Sequence, residues 1–515
     1  MTSATASSSP ASSLSQADIR SIITGLMLAI LLGAIDQTII SVSLPQMATD
    51  LQGVDMLAWV VSGYLIAMAV ATPIYGKLGD IYGRRIVLSS AIVLFLIASV
   101  ACAMAPTMPV LVAARILQGL GGGGLISVAQ ATIADVVAPR DRGRYQAYIS
   151  GAFAVASVSG PVLGGLLTTY LSWRWIFWIN LPLGIPALLI SRRALAKLHK
   201  PTAKRDIDYR GAGLLTAGLT ALLLSITRVG QGVSLLDAGN LWMLAITAVS
   251  LGLYGRNALR SPEPIIPLDL FRIRTVSISC LILFIAFIQL ISLTVLIPLE
   301  LQMLAALDAD GAALRLIPLS LSVPLGAYIG GKLMARTGRF KHIQLTGALA
   351  VPVSAFGLSL IHPESAWAMT FCLIVVGSGI GLQLPTATVA VQNAVSHRHV
   401  GIATAVSAFC RSLGSAMGIA ILMAFLLMSL RLGASAVDAA LSGSDVIDLL
   451  ISTKTTGHGV PGLSTLAMAA EGAFQNVYRL AALIAVGSVI LTLCLKNERL
   501  SERAPPTAQG RAKHN

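Results

Sequence analysis

The feature that most constrains this chain is a succession of long apolar stretches, each about as long as a lipid bilayer is thick. A helix needs about 20 mostly apolar residues to cross the hydrocarbon core. Fourteen stretches of suitable length lie between the charged clusters. They are 21–44, 57–77, 86–105, 109–133, 145–170, 174–192, 210–228, 240–256, 275–300, 313–335, 342–361, 367–392, 400–430 and 474–495. The sequence therefore predicts an all-α polytopic membrane protein with fourteen transmembrane helices.

The placement of the basic residues predicts the orientation of these helices. With the N-terminus in the cytoplasm, 28 of the 36 lysines and arginines fall in cytoplasmic segments, and Arg115 and Arg411 lie inside spans. Cytoplasmic loops of membrane proteins carry such an excess of positive charge. We therefore expect a multi-pass protein of the cell's inner (plasma) membrane with both termini cytoplasmic. The formal net charge of +14 is then a topology signal, and no nucleic-acid partner is expected.

Other functional classes leave no trace in the sequence. Only 11% of the residues are charged, whereas a soluble globular chain has about 25%. The five cysteines lie in apolar runs without paired or metal-type spacing, and the seven histidines form no H-E-x-x-H pattern. No G-x-x-x-x-G-K-[ST] loop for ATP occurs. We expect no disulfide, metal, cofactor or enzymatic activity.

A short basic motif occurs twice, as GKLGDIYGRR at 76–85 and as GKLMARTGRF at 331–340. Both copies follow a span that runs inward; the first joins spans 2 and 3, the second spans 10 and 11. Two parallel six-helix halves would show such an internal repeat, but the second copy would then join spans 8 and 9. A pair of helices within 206–258 is therefore expected as an insertion between the halves.

The chain is therefore predicted to have five parts, one of which contains a long loop. A Ser/Ala/Thr-rich segment without a basic signal-peptide region begins the chain and is expected to be disordered. The inserted pair is expected to be a peripheral strut beside the halves. The predicted parts are the N-terminal segment 1–20, the N-terminal bundle 21–205, the inserted helices 206–258, the C-terminal bundle 259–495 with an extracytoplasmic loop at 431–473, and the cytoplasmic tail 496–515.

Five stretches in order resemble signatures of the major facilitator superfamily, specifically its fourteen-helix drug:proton antiporters. They are AIDQTIISVSLP at 34–45, GKLGDIYGRR at 76–85, ARILQGLGGGG at 114–124, SGPVLGG at 159–165 and WRWIFWINLPLG at 173–184. The resemblance covers about residues 20–495. It implies the major facilitator fold, two six-helix bundles plus two inserted helices. It also implies proton-coupled antiport of the multidrug efflux type by alternating access.

The first copy of the basic motif is similar to the superfamily's span 2–3 motif, which predicts a conformational lock. Its residues would be Gly76, Asp80, Gly83, Arg84 and Asp135. Asp80 could accept N–H bonds at a neighbouring helix start, where an acid opposes the helix dipole, and Arg84 could pair with Asp135 at the inner end of span 4. The alternative is a plain charged turn. The second copy lacks the acid, so a locking role is not expected there.

Two glycine-rich stretches predict close helix packing. SGPVLGG resembles the antiporter motif of span 5, with Gly160, Pro161, Gly164 and Gly165. Pro161 would bend the helix, and the glycines would form a face for another helix, whether or not that seam moves. GLGGGGLIS at 119–127 needs either close packing or a locally soft helix to compensate for its poor helix propensity.

Asp36 is the one acid well inside a predicted span, and Arg115 lies at a similar depth. Charges inside the hydrocarbon are costly and are candidates for function. A carboxyl beside an arginine experiences two opposed effects, from burial and from the cation, and moving helices would change their balance. We therefore predict that Asp36 carries the proton and that Arg115 modulates it. The alternative is a static ion pair.

Residues for a substrate cavity are sought among polar and aromatic side chains in mid-span, since drug-type sites are mostly apolar with few polar anchors. Arg411 could contact an anionic substrate group or a backbone carbonyl, or lie opposite Glu300. Glu300 could also form an outer pair with Arg315. The candidates are Gln37, Tyr64, Gln118, Phe153, Phe287, Gln289, Glu300, Gln383 and Arg411. The substrate could be neutral, zwitterionic or anionic.

The leading functional prediction is a secondary active exporter that exchanges small amphipathic compounds for protons. A dedicated exporter of one metabolite, siderophore or antibiotic is the alternative within transport. A membrane receptor or enzyme is the alternative from another class; it would need clustered His, Cys or carboxylate residues at the membrane face. The expected partners are a small-molecule substrate, protons and the lipid bilayer, with the chain as a monomer.

Overall fold

The computed structural model describes most of the chain and places it almost wholly in helices. The described residues are 15–40, 43–51, 56–137, 141–198, 208–230, 233–305, 307, 309–362, 365–396, 399–434, 447 and 463–497. Most of the predicted loop 431–473, the tail beyond residue 497 and the first fourteen residues lie outside this part. Predictions for those segments therefore stay predictions.

Seventeen α-helices are formed by the described residues, with short 3₁₀ turns at Leu195–Lys197 and Leu268–Arg272. In chain order they are α1 Gln16–Ile39, α2 Leu44–Leu51, α3 Leu57–Tyr82, α4 Arg84–Ala103, α5 Met108–Val136, α6 Arg142–Tyr170, α7 Trp175–Trp178, α8 Asn180–Ala194, α9 Tyr209–Gly230, α10 Ala238–Ala258, α11 Arg274–Met303, α12 Ala309–Leu314, α13 Ile317–Thr337, α14 Lys341–Leu358, α15 Ala366–Ala394, α16 Val400–Ala434 and α17 Leu463–Leu493. The all-α prediction is confirmed.

Every predicted span coincides with helical structure, although several helix ends differ from the prediction. α1 begins at Gln16, inside the segment 1–20 assigned to a disordered tail, and α17 begins at Leu463 rather than at 474. Twelve of the helices in the described part are long and apolar enough to cross a membrane. α13 and α14 are helical but are not among these twelve, because Ser, Pro and basic residues lower their hydropathy. The count of fourteen spans stays a prediction.

The N-terminal half packs α1, α3–α6 and α8 around apolar side chains. The glycine run of α5 is explained by close packing on two sides. A Cβ at Gly119 would lie 2.3 Å from the carbonyl oxygen of Tyr64 on α3, and one at Gly121 would lie 2.7 Å from the backbone nitrogen of Phe95 on α4. Contacts this close leave no room for any side chain, so the glycines let three helix backbones meet.

The C-terminal half packs α11 and α13–α17 around a second core. The main contacts of this half with the first are made by α16 with α3 and α5, and by α13 with α6. The inserted helices α9 and α10 pack on each other, and α9 also contacts α3 and α16. Leu215, Leu219 and Leu223 of α9 share an apolar cluster with Val70 of α3 and Val406 of α16. α9 therefore bridges the α3–α16 seam.

Candidate functional site

A buried polar network surrounds Asp36 inside the N-terminal half. Its Oδ2 accepts a hydrogen bond from Nη1 of Arg115 at 2.8 Å. Its Oδ1 accepts from Nε2 of Gln118 at 2.9 Å and from Nδ2 of Asn180 at 3.0 Å. Asp36 and Arg115 are each about 1% exposed. A buried charge needs a counter-charge and hydrogen-bond donors, and this carboxylate has both.

The guanidinium of Arg115 is held on three further sides. Nη1 also donates to Oε1 of Gln118 at 2.7 Å, and Nε donates to the carbonyl oxygen of Val60 at 3.2 Å. Cζ lies 4.1 Å from the centre of the Tyr64 ring. Such a stack adds a cation–π attraction to the ion pair. The structure thus brings together the two intramembrane charges that the sequence placed at one depth.

Two members of the network are absent from the sequence-based candidates. Asn180 of α8 donates to Asp36, and Ser99 of α4 accepts from Gln118 at 2.8 Å and from Asn180 at 3.2 Å. Asn180 lies within WRWIFWINLPLG, and an amide in an otherwise apolar segment is a signal that could have identified it. All these side chains belong to one half, so a rigid movement of the two halves leaves the Asp36–Arg115 distance unchanged.

A cavity of about 660 Å³, here called the central cavity, lies between the two halves. Its walls come from α1, α3, α5 and α6 on one side and from α11, α13, α15 and α16 on the other. The lining is mainly apolar, with hydroxyl groups from Thr294, Thr388, Ser412 and Ser415. Cavities of this size and character suit small organic molecules.

Four of the nine predicted cavity residues line this space: Gln37, Phe153, Phe287 and Arg411. The other five are buried in the interior of their own half and do not line this cavity. Tyr64 and Gln118 belong to the Asp36 network. Gln289 donates to the carbonyl oxygen of Ala481, and Gln383 accepts from the hydroxyl of Ser488. Buried hydrogen bonds between helices, such as these two, hold the helices together.

Glu300 is the fifth of these residues and lies inside the C-terminal half. It is 3% exposed, and its Oε2 accepts a hydrogen bond from the Tyr478 hydroxyl of α17 at 2.5 Å. No ion pair joins Glu300 to Arg411 or Arg315 in the described part of the chain. Asp36 and Glu300 are the two buried acids among the described residues.

The inserted helix α9 also contributes to the central cavity, through Leu223, Ile226 and Thr227. The sequence predicts that this pair is a peripheral strut beside the halves. In the structure, the apolar face of α9 packs across the α3–α16 seam and part of that face reaches the cavity. Its apolar residues look the same in the sequence whether they face lipid or a cavity.

At the far end of α3 a second charged cluster, here called the Arg84 cluster, joins three helices. Arg84 donates from Nε to Oδ2 of Asp135 at 2.7 Å and from Nη2 to Oδ1 of Asp80 at 2.5 Å. Gly83 has φ of 89° in the turn between α3 and α4, a conformation that favours glycine. The arginine and both acids belong to the N-terminal half, so their ion pairs lie within that half.

The contact between the halves comes from Asp80. Its Oδ2 accepts a hydrogen bond from the backbone N–H of Ile402 at 3.2 Å, in the first turn of α16. A Cβ at Gly401 would lie 2.2 Å from Asp80 Oδ1 and a Cβ at Gly76 would lie 2.4 Å from Ala405 Cβ. An acid at a helix N-terminus is favoured by free N–H groups and by the dipole. Asp80 therefore connects α3 to the other half.

Lys77 forms a further link, which the sequence pattern does not predict. Its Nζ lies 2.6 Å from Oε2 of Glu263, in the segment between α10 and α11, and Lys77 is 5% exposed. The same segment is held by Tyr254 of α10, whose hydroxyl bonds the backbone of Ile266. Glu263 lies in a proline-rich segment without a periodic pattern, so the sequence does not indicate that it pairs with Lys77.

The glycines of SGPVLGG pack on α1, directly beyond Asp36 in sequence. A Cβ at Gly160 would lie 2.0 Å from Thr38 Oγ1, and a Cβ at Gly164 would lie 2.5 Å from the carbonyl oxygen of Ile39. Gly165 is half-buried, and the side chain of Pro161 lies outside the described part. The close seam predicted for this motif is therefore an α1–α6 seam within the N-terminal half.

Comparisons with known proteins agree with this architecture. The family model of the Major Facilitator Superfamily matches residues 26–419. The multidrug transporter protein MdtP of Bacillus subtilis is 32% identical over 402 residues, which are 78% of this chain and 74% of that protein. An uncharacterized MFS-type transporter from Mycobacterium tuberculosis is 32% identical over 93% of this chain and 70% of its own length.

Relatives also occur in fungi, and solved structures share the fold. An efflux pump of Mycosarcoma maydis is 32% identical and is matched over 77% of this chain and 66% of its own length. The proton:xylose symporter XylE superposes with a TM-score of 0.58 at 17% identity, over 92% of this chain and 96% of XylE. The human organic anion transporter MFSD10 gives a TM-score of 0.58 at 15% identity, over 91% and 99%. Identities this low support the fold alone.

Proposed function

Because the chain belongs to the major facilitator superfamily of membrane transporters, we propose that it exports small amphipathic molecules in exchange for protons. The observation that carries this proposal is the central cavity, a mainly apolar space of about 660 Å³ shared by both halves. A site at the interface of two halves can face each side of the membrane in turn when the halves rock. The efflux pumps at about 30% identity support the direction of transport.

Proton coupling requires a carboxyl that is charged in one state and protonated in another. The proposed carrier is Asp36, whose charge is compensated here by Arg115, Gln118 and Asn180. Since these groups move together with their half, protonation needs a local rearrangement. The α1–α6 seam is the proposed place, because Thr38 and Ile39 on α1 press against Gly160 and Gly164. A shift of α6 would therefore displace α1 beside Asp36.

Purified protein in proteoliposomes tests this function directly. We expect it to drive lipophilic test compounds uphill against an imposed pH gradient, and to lose this activity when the gradient is collapsed. Each pH unit corresponds to about 1.4 kcal/mol, so exchange of one proton per molecule supports about a tenfold concentration ratio per unit. Accumulation that persists without any proton gradient would contradict antiport.

We further expect that Asp80 holds the Arg84 end of the halves together, the end that the basic residues place in the cytoplasm. Asp80→Ala removes a charged hydrogen bond to Ile402, worth about 1.5–3 kcal/mol, and should open this end. Spin labels at Tyr82 on α3 and Thr337 on α13, both exposed, would report longer distances in pulsed electron resonance. The five native cysteines are replaced first.

The matched control for this measurement is Asp269→Ala, which removes an exposed acid paired with Arg272 outside the Arg84 cluster. The control should keep the distance distribution of the parent protein. An unchanged distribution in Asp80→Ala would reduce the motif to a charged turn that only sets topology.

A further inference from the structure

Among the described residues that line the central cavity, one side chain is charged, and it is a cation. None of these described lining residues is an acid, a lysine or a histidine, and Arg411 of α16 is the single arginine. Asp36 and Glu300, the two buried acids of the described part, are engaged elsewhere and do not line the space. The net charge of the cavity wall is therefore positive.

Arg411 has only weak compensation for its charge in the described part of the chain. Nη2 donates to Oε1 of Gln130 at 3.1 Å, and Cζ lies 5.7 Å from the centre of the Phe287 ring. No ion pair is formed with a carboxylate of the described residues. A guanidinium has five N–H donors in a planar fork that matches an oxyanion. Most of these donors are free of side-chain acceptors here.

Arg115 shows what full compensation looks like in the same protein. It has a carboxylate at 2.8 Å, an amide oxygen at 2.7 Å and an aromatic ring at 4.1 Å. Arg411 lacks the carboxylate and is partly exposed to the cavity instead. A cation that faces an apolar space in the membrane is costly, so an anion that enters the cavity would lower the free energy of this site.

Resting on the proposed function, we propose that the substrates are amphipathic organic anions whose carboxylate, sulfonate or phosphate binds Arg411. The apolar body of such a molecule would lie against Phe153 and Phe287, which line the same cavity. Gln130 belongs to α5 of the opposite half. An anion that replaces Gln130 on Arg411 removes a contact between the halves, so binding and movement would be linked.

A matched series of ligands tests the sign of the charge. 2-Naphthylacetate, 2-naphthylacetamide and (2-naphthylmethyl)trimethylammonium share one apolar body and differ in the head group. Their binding is measured by equilibrium dialysis against protein in phosphatidylcholine nanodiscs, with empty nanodiscs subtracted. We expect the acetate to bind most tightly. Arg411→Gln should weaken acetate binding about 10- to 100-fold and amide binding less than about twofold, and Arg411→Lys should retain part of the acetate affinity.

Arg272→Gln is the charge-matched control, because Arg272 is exposed and lies outside the cavity. It should leave all three affinities unchanged. Wild-type protein that fails to bind the acetate, or that binds the ammonium at least as tightly, would overturn the proposal, as would equal weakening of all three ligands by Arg411→Gln. This assay involves no pH gradient or transport. Loss of proton-driven export with intact acetate selectivity would therefore count against the proposed antiport alone.

Discussion

We expect the Asp36→Asn variant to lose uphill export completely while it still exchanges substrate across the membrane. Asparagine has nearly the shape of aspartate and can remain in the network of Gln118 and Asn180, but it cannot bind and release a proton. A gradient of about two pH units, equivalent to about 2.7 kcal/mol, should then produce no accumulation. Proteoliposomes loaded with substrate give both readouts, uphill uptake under the gradient and counterflow without it.

The other buried acid provides the matched comparison. Glu300→Gln makes the same change of carboxylate to amide, at a residue that bonds Tyr478 inside the C-terminal half. It should keep uphill export. If Glu300→Gln abolishes accumulation and Asp36→Asn does not, the proton carrier lies in the other half and Asp36 belongs to a static ion pair. Retained accumulation in both variants would remove both buried carboxyls from the coupling mechanism.

Arg115→Met should destabilise the protein by about 3–5 kcal/mol, the usual cost of leaving a buried ion-pair partner without its counter-charge. Asp36 would keep two amide donors but no cation within reach of its Oδ2. Thermal unfolding of detergent-purified protein, followed by tryptophan fluorescence, measures the loss. The exposed pair of Arg272 and Asp269 offers the control, since Arg272→Met should change stability by less than about 1 kcal/mol.

The double variant Asp36→Asn/Arg115→Met separates the ion pair from packing. Neutralising Asp36 removes the unpaired charge, so the double variant should be more stable than Arg115→Met alone. The remaining deficit would measure the other contacts of Arg115, which are its hydrogen bonds to Gln118 and Val60 and its stack on Tyr64. Equal stability of the single and double variants would mean that the ion pair contributes little and that Arg115 acts through these other contacts.

The helical architecture and the Asp36–Arg115 pair could be predicted from the sequence because both depend on depth in the membrane. Apolar length defines where helices cross, and a charge inside such a stretch must find compensation nearby. Counting residues from the span ends put Asp36 and Arg115 at similar depths. The structure adds the 2.8 Å contact between them. The charged residues of GKLGDIYGRR likewise predicted the turn that contains Arg84.

The lining of the cavity could not be predicted because a helix position does not reveal which way a side chain points. Gln37 faces the cavity whereas its neighbour Asp36 faces the interior of the half. The polarity of Gln118 predicts a place in the cavity, yet its side chain belongs to the Asp36 network. Direction depends on which helices are neighbours. That arrangement depends on tertiary contacts, such as the close approach of α3 and α5 at Gly119. A local sequence pattern does not predict such contacts.

The apolar cluster that α9 shares with α3 and α16 should contribute little to the energy barrier for the movement of the two halves. When leucines separate from another helix inside a bilayer, lipid tails replace the lost neighbours, and lipid is about as apolar as leucine. Movement of α3 or α16 along α9 should therefore cost little free energy. When the Arg84 end opens, Asp80 loses the Ile402 N–H and Lys77 loses Glu263, so these charged hydrogen bonds must be exchanged for hydrogen bonds to water. These few polar contacts at one end of the bundle, rather than the broad apolar surface of α9, would therefore set the rate of the transport cycle.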